Sequence, residues 1–435
     1  MLSIVKGFEI DFHSTPVQSC PPVTRASFSE TQLIDAEVQD LLKKGPIQEV
    51  SPSDQTFYSR LFLVPKKEGT YRPVIDLSSL NRFVPHVHFQ MEGLHCLKTF
   101  LRKGDYMTST DQKDTYVSVP IQKSSQTFLR FIWGTKHFTF LGLPFGLSTA
   151  PRIFIKLLKP VAAFLRKQGY RIIIYLDDFL LLASSKAEAL RLTQMSLSLL
   201  QSLVFLINWT KSTLSPVQSV TYLGFVISSV NLTIYLPKAK VQRVYAVCNN
   251  ALFQPQMSGR QLASLLGTLE SCRLAIREAP SHLRALQILL IQTLRNHQFD
   301  YNCPVFLNPQ SRAELTWWLN NLPKVNGSPV SPPPPDLTIL SDVSMQGWGA
   351  TCQGKSTNGK WSSQESIQHI NLLELKAAFL AVKTFLKNQS HRVVLLKLDN
   401  SAAVAYLNNK GGTHLVPLMS LSSGNLDMVF FRETS

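Results

Sequence analysis

RIIIYLDDFLLLA, residues 171–183, sets two carboxylates, Asp177 and Asp178, between two short apolar runs. Ile172–Leu176 and Phe179–Leu182 are rich in strand formers, and each has the length of a buried strand. An Asp pair favours a turn, so the stretch reads as a β-hairpin with both acids at its tip. A solvated tight turn is the simpler reading of an isolated Asp-Asp pair. A functional reading requires a third carboxylate and a reason to hold all three together.

The chain around this stretch has 435 residues, 44% of them hydrophobic, enough for more than one core. Lys and Arg number 44 against 28 Asp and Glu, a formal charge of +16. Residues 1–336 hold 35 basic and 22 acidic side chains, and the remainder 9 and 6. A surplus spread over a long segment suits a groove for a polyanion, nucleic acid first, although solubility alone would also use it. The six cysteines, Cys20, Cys96, Cys248, Cys272, Cys303 and Cys352, form no CxxC pair, and no Cys/His cluster has zinc spacing. They read as buried thiols of an intracellular protein, in cytoplasm or nucleus. No run of about 18 apolar residues exists, so no membrane span is expected.

In chain order, residues 1–30 have little periodicity and read as an extended arm. Ser29–Lys44 is predicted helical, capped by Ser29 and stopped by Gly45-Pro46. Residues 59–77 read as strand, Lys-rich turn, strand. This puts Lys66, Lys67 and Arg72 on or beside a hairpin tip, as a cationic finger for a triphosphate or a solvated charged turn. Met91–Arg102 is expected to be helical, Asp105–Asp111 a strand, and Tyr116–Ile121, Phe128–Trp133 and His137–Leu141 further strands. The loop LPFGLSTAP (143–151) feeds a helix from about Ala150 to Gln168 with Pro160 inside it. Lys186–Leu206 is again helical, Asn208–Ser229 closes with short strands, and Pro237 to about Leu294 is mostly helical. SPVSPPPPD (328–336) is a proline-rich linker. A second α/β pattern follows, with Asp342 and Asp399 at strand ends and Glu374 in the first turns of a helix.

Asp111 ends one strand and Asp177-Asp178 tip a hairpin; if those strands are neighbours, the three acids converge. Such carboxylates repel and raise one another's pKa values. Bound divalent cations remove that penalty, and Mg²⁺ keeps positions open for water and phosphate.

Taken in order, Lys66/Lys67 and Arg72, Asp111 with Tyr116, LPFGLSTAP, YLDD (175–178), Lys211 and YLGF (222–225) resemble the full motif series of a reverse transcriptase. KGDYMTSTDQKDTYVSVPI (103–121) and YLDDFLLLASS (175–185) look most like retrotransposon polymerases of the DIRS type, with gypsy-type enzymes next. The resemblance covers about residues 30 to 415 and implies an α+β fold. Its parts would be right-hand polymerase fingers and palm over 31–235, a helical thumb or connection region over 236–327, the linker, and an α/β ribonuclease H-like domain over 337–435.

The resemblance also implies an RNA-directed DNA polymerase with Mg²⁺, or Mn²⁺, as cofactor. Its partners would be an RNA template, a DNA primer and dNTPs. Asp111 and Asp177 would be the main metal ligands, with Asp178 beside them. Tyr116 matches the aromatic gate against a 2′-OH. Arg72 and Lys66 or Lys67 would bind the triphosphate. Phe145, Gly146 and Pro151 would flank nucleotide and template, Lys211 would assist pyrophosphate departure, and Leu223-Gly224 would grip the primer. Thr110 departs from the pattern, which has an apolar residue before the catalytic Asp.

Asp342, Glu374 and Asp399 match three metal-binding acids of the ribonuclease H that follows such polymerases. The fourth acid and its nearby His have no match in His414, Asp427 or Glu433, and the resemblance fades from about Leu415. Truncation or a changed reading frame, with impaired nuclease activity, is therefore expected. A catalytically inactive remnant that only binds nucleic acid is the alternative; a nuclease alone is the weakest reading.

Overall fold

In the computed structural model, which describes residues 2–18, 24, 27–53, 56–65, 71–113, 115–387, 393–408 and 429–433, the chain divides into two units, residues 1–223 and 224–435. The first unit opens with a helical turn at Leu2–Lys6, and Ile4, Phe8 and Ile10 are buried in its main core. The expected extended arm thus carries core residues spaced too irregularly to show a period.

Helix α1 (Phe28–Lys44) starts from Ser27, not Ser29. The Ser27 hydroxyl accepts the Glu30 N–H, and the Glu30 carboxylate takes the Ser27 N–H in return. Next come β1 (Ile47–Val50), a hairpin of β2 (Leu61–Pro65) and β3 (Tyr71–Ile75), and then β4 (Tyr106–Lys113), β5 (Arg130–Trp133) and β6 (Lys136–Phe140). Helix α2 (Ala150–Lys167), strands β7 (Arg171–Tyr175) and β8 (Asp178–Ala183), helix α3 (Lys186–Ser202) and strands β9 (Leu206–Ile207), β10 (Thr213–Val217) and β11 (Ser219–Tyr222) complete the unit. β1, β6 and β5 make one sheet in that order; β10, β4, β8 and β7 make another, with β9 added along β4.

The β7–β8 hairpin is buried because both its faces are covered. Ile172–Ile174 and Phe179–Ala183 are all core residues, with α2 packed on β7 and α3 on β8. Its turn differs from the expectation. Tyr175 pairs with Asp178, so the two turn residues are Leu176 and Asp177, and Leu176 sits in the left-handed region at φ 53°. Asp178 is the first residue of β8. The carboxyl of Asp105, 2% exposed, is held at the base of the sheet by a two-pronged ion pair with Arg171, at 2.5 and 2.9 Å.

Two other expectations fail locally. Met91–Arg102 yields only a 3₁₀ turn at Leu94–Cys96 and one helical turn at Leu97–Phe100. Tyr116–Ile121 is no strand: Tyr116–Ser118 is a 3₁₀ turn, and Pro120, lacking an N–H, makes only an isolated bridge with Gly142.

The second unit contains β12 (Phe225–Ser228), β13 (Thr233–Tyr235), helix α4 (Lys238–Phe253), β14 (Met257–Ser258), helices α5 (Gly259–Glu270) and α6 (Arg284–Asn296), β15 (Pro304–Val305), helix α7 (Pro309–Val325) and β16 (Ser328–Pro329). β16, the start of the proline-rich stretch, pairs with β13. A five-stranded sheet follows, built from β17 (Leu337–Val343), β18 (Gly347–Cys352), β19 (Lys355–Lys360), β20 (Val394–Leu398) and β21 (Val429–Glu433), in the order β19-β18-β17-β20-β21. Helix α8 (Ile370–Phe385) packs on β17 and β18, and its Leu375, Ala378, Ala381 and Val382 join the sheet's core. Cys248, Cys272, Cys303 and Cys352 are buried free thiols, and Cys96 is partly buried. Among the described residues no helix is long and apolar enough to cross a membrane.

Candidate active site

The ladder between β4 and β8 sets Asp111 directly opposite Asp178. Side chains so opposed lie roughly 5 Å apart at Cβ. The hairpin turn is tied to the same strand, since the Asp177 carbonyl accepts the Gln112 N–H at 3.1 Å. Asp111 itself is fixed through its backbone: its N–H donates to Ser212 Oγ at 3.0 Å, and its carbonyl accepts the Asn208 N–H at 2.8 Å. The three acids therefore come together, and their charges interact. Burial, then Asp177, then Asp111 push the Asp178 carboxyl up to about 7, against the opposing pull of Lys211.

Beside the acids lies a cavity of about 890 Å³, lined by Asp111, Asp177, Phe145 and Lys211 among others. Tyr116 is buried behind this wall, its ring edge-on to Phe145 (centroids 4.9 Å, 65°) and to Phe154 (5.4 Å, 90°). Burial, followed by Asp177 and Tyr175, pushes its phenol up to about 12. Two glycines let backbone close in here. A Cβ on Gly142 would lie 2.0 Å from the Val117 carbonyl oxygen, and one on Gly146 (φ 104°) 2.8 Å from that of Ile75.

The remaining predicted positions are distributed as follows. Lys66 and Lys67 lie outside the described residues; Arg72 stands on β3, opposite Val64. Pro151 is in the first turn of α2. Leu223 (φ 47°) and Gly224 (φ 75°) form the two-residue connection from β11 to β12, both left-handed as a type I′ turn requires. Thr110 is 1% exposed, and among the described residues its hydroxyl has no hydrogen-bond partner. Gln112, on the other side of Asp111, is 3% exposed with both amide atoms unpartnered; sequence reading passed over it.

In the second unit Asp342 lies on β17, Glu374 in α8 and Asp399 just after β20. Asp342 and Asp399 line a second cavity of about 550 Å³. Glu374 is buried with one carboxylate oxygen unpartnered; burial, then Asp399 and Asp342, push it up to about 7. His414 and Asp427 lie outside the described residues, and Glu433 ends β21.

Both clusters suit a hard divalent cation by donor type, and the raised Asp178 and Glu374 are the marks of carboxylates short of counter-charge. Neither makes a complete ligand set by itself: among the described residues no three His, Cys, Asp or Glu side chains are arranged to hold an ion. Asp111 and Asp177 both line the first cavity.

Residues 64–227 match the family described as reverse transcriptase (RNA-dependent DNA polymerase). The Transposon Tf2-3 polyprotein of Schizosaccharomyces pombe is 26% identical over 231 residues, 53% of this chain and 17% of the polyprotein. The Tf2-7 polyprotein of the same yeast is 25% identical over an equal span. The match thus spans about a sixth of these relatives. Among solved structures, the foamy viral protease-reverse transcriptase in complex with dsDNA is similar with a TM-score of 0.64 and 17% identity, covering 98% of this chain and 87% of that one. A second, titled dRH and also in complex with dsDNA, gives 0.63 and 17%, covering 100% and 73%. The fold is the α+β right-hand polymerase fold of reverse transcriptases, and residues 64–227 are similar to the reverse transcriptase region of retrotransposon polyproteins.

Proposed function

We propose that the chain is the polymerase of a DIRS-type retrotransposon, acting inside the cell and adding dNTPs to a DNA primer on an RNA template. The convergence of Asp111, Asp177 and Asp178 beside the 890 Å³ cavity carries this reading. Asp111 and Asp177 would hold Mg²⁺, or Mn²⁺, with Asp178 adjoining. A divalent cation held there would supply the charge that favours attack by a primer 3′-OH and departure of pyrophosphate. The chain's own residues orient and screen. Tyr116, packed behind Phe145 and against Phe154, would act with Phe145 as the screen against a 2′-OH. Lys211, on the same cavity, places positive charge toward the leaving group. Arg72 with Lys66 or Lys67 would hold the triphosphate, Gly146 would let the loop approach the nucleotide, and Leu223-Gly224 would grip the primer. Asp342, Glu374 and Asp399 would form a ribonuclease H-like metal site.

One observation favours a second reading, a remnant that binds nucleic acid without extending primers. The unpartnered Thr110 hydroxyl and Gln112 amide on either side of Asp111 weaken the strand that carries it. The two readings separate on one preparation, by measuring duplex binding against salt and dTTP addition to oligo(dT) on poly(rA). Addition that disappears in the Asp177→Asn/Asp178→Asn double variant supports the polymerase. Salt-dependent binding without addition supports the remnant.

A further inference from the structure

We propose that Asn81 is a positioning residue for sugar selection, acting through Phe145 on Tyr116. This rests on the reading of Tyr116 as the gate against a 2′-OH. Asn81 does not line the nucleotide cavity, so any influence it has there must pass through other residues.

The side chain is mounted on a rigid base. Asn81 is the middle residue of the 3₁₀ turn Leu80–Arg82, which follows β3. Leu77 and Leu80 anchor the turn in the main core at 1% and 0% exposure, and the Asn81 N–H donates to the Leu77 carbonyl at 2.8 Å. From this base both ends of the carboxamide reach across 65 to 67 residues of chain to one loop. Asn81 Nδ2 donates to the Gly146 carbonyl at 2.8 Å, and Asn81 Oδ1 accepts the Ser148 N–H at 2.9 Å. A flipped amide would face donor to donor and acceptor to acceptor, so these partners fix its orientation.

Leu147, 2% exposed, anchors this loop in the core, and the Asn81 carboxamide fixes the backbone on either side of it. Gly146 carries no side chain, and its φ of 104° lets its backbone lie against the Ile75 carbonyl. Phe145, the next residue back, lines the cavity and meets the Tyr116 ring at 4.9 Å. The sequence of contacts is therefore Asn81 to the Gly146 and Ser148 backbone, thence to Phe145, thence to Tyr116. Loosening the staple lets Phe145 shift on the cavity wall, and Tyr116, packed behind it, loses the contact that sets its position.

The test uses the full chain, a DNA primer on an RNA template that calls for C, and the ratio of dCTP to CTP incorporation efficiency. Asn81→Asp keeps the acceptor for Ser148 and removes the donor to Gly146; Asn81→Ala removes both. Asn81→Asp should lower the dCTP preference about tenfold, the equivalent of one ordinary hydrogen bond, and Asn81→Ala by more. Primer–template affinity should stay at the wild-type value. The ratio compares two nucleotides on the same molecules, so loss of folded protein does not move it. The Asn81→Ala/Tyr116→Ala double variant should be no less selective than Tyr116→Ala alone. The proposal is overturned if both Asn81 variants keep the wild-type ratio while Tyr116→Ala loses it, or if the double variant shows the two effects multiplied. If Tyr116→Ala itself keeps the wild-type ratio, the gate reading fails first, and the proposal with it.

Discussion

Replacing Asp178 with Asn should stabilise the metal-free protein, and the gain should grow with pH. In the unfolded chain this carboxyl titrates at its ordinary 3.8; in the fold it is pushed up to about 7 by burial and by Asp177 and Asp111. Between these values the folded state binds more protons than the unfolded one, so stability falls as pH rises, and above about 7 the loss is complete. A rise from 3.8 to about 7 corresponds to about 4 kcal/mol. Asp178 is only half-buried, and solvent screening reduces this to roughly 2 kcal/mol. Urea unfolding in EDTA at pH 4.5 and pH 8 measures it. At pH 4.5, where the unfolded carboxyl is already mostly ionised, Asp178→Asn should exceed the wild type by about 1 kcal/mol, and at pH 8 by about 2 kcal/mol. Mg²⁺ at pH 8 should stabilise the wild type more than the variant, since the cation relieves the same repulsion. An equal effect of the substitution at both pH values, or destabilisation at pH 8, would refute the electrostatic argument.

Thr110→Val and Gln112→Leu should each raise stability by about 1–2 kcal/mol in the same assay, because each removes a buried polar group without a partner; destabilisation by either would mean that the polar atoms are satisfied. Gly142→Ala forces a Cβ to within 2.0 Å of the Val117 carbonyl and should cost about 1–3 kcal/mol. Gly267→Ala, inside α5 with nothing within 4 Å, should instead stabilise by up to about 1 kcal/mol, so the pair is read by the sign of the change in melting temperature. Arg171→Met strands the Asp105 carboxylate, 2% exposed, and should cost about 3–5 kcal/mol at pH 7.

The acid cluster of the first unit was largely legible in the sequence because its residues sit in contiguous motifs. YLDD announces two strands and a turn in thirteen residues, and an acid at the end of another strand is meaningful as soon as the two strands pair. What sequence could not supply was the register. The Asp111–Asp178 opposition, and the shift of the turn from Asp177-Asp178 to Leu176-Asp177, depend on where the ladder stops. Tyr116 was identified by motif but mistaken for a strand residue, because Val117, Val119 and Ile121 alternate while Gly142 dictates the local turn from 21 to 25 residues away. Asn81 gave no sign at all: an Asn in a polar turn looks like a turn residue, and only the fold brings Gly146 and Ser148 to its two ends. The acids of the second unit were named from pattern, and burial of Glu374 against Asp399 and Asp342 emerged only from the packing of α8 on β17.

The central claim, that the acids of the first unit form the catalytic metal site of a DNA polymerase, is tested most directly by primer extension. Asp111→Asn, Asp177→Asn and Asp342→Asn should be compared with the wild type for Mg²⁺-dependent dTTP addition to oligo(dT) on poly(rA), with duplex affinity measured on the same samples. The account predicts that both first-unit variants lose addition and keep duplex binding, while Asp342→Asn keeps both. Undiminished addition by Asp111→Asn or Asp177→Asn, or no addition by a folded wild type that binds the duplex, would contradict it.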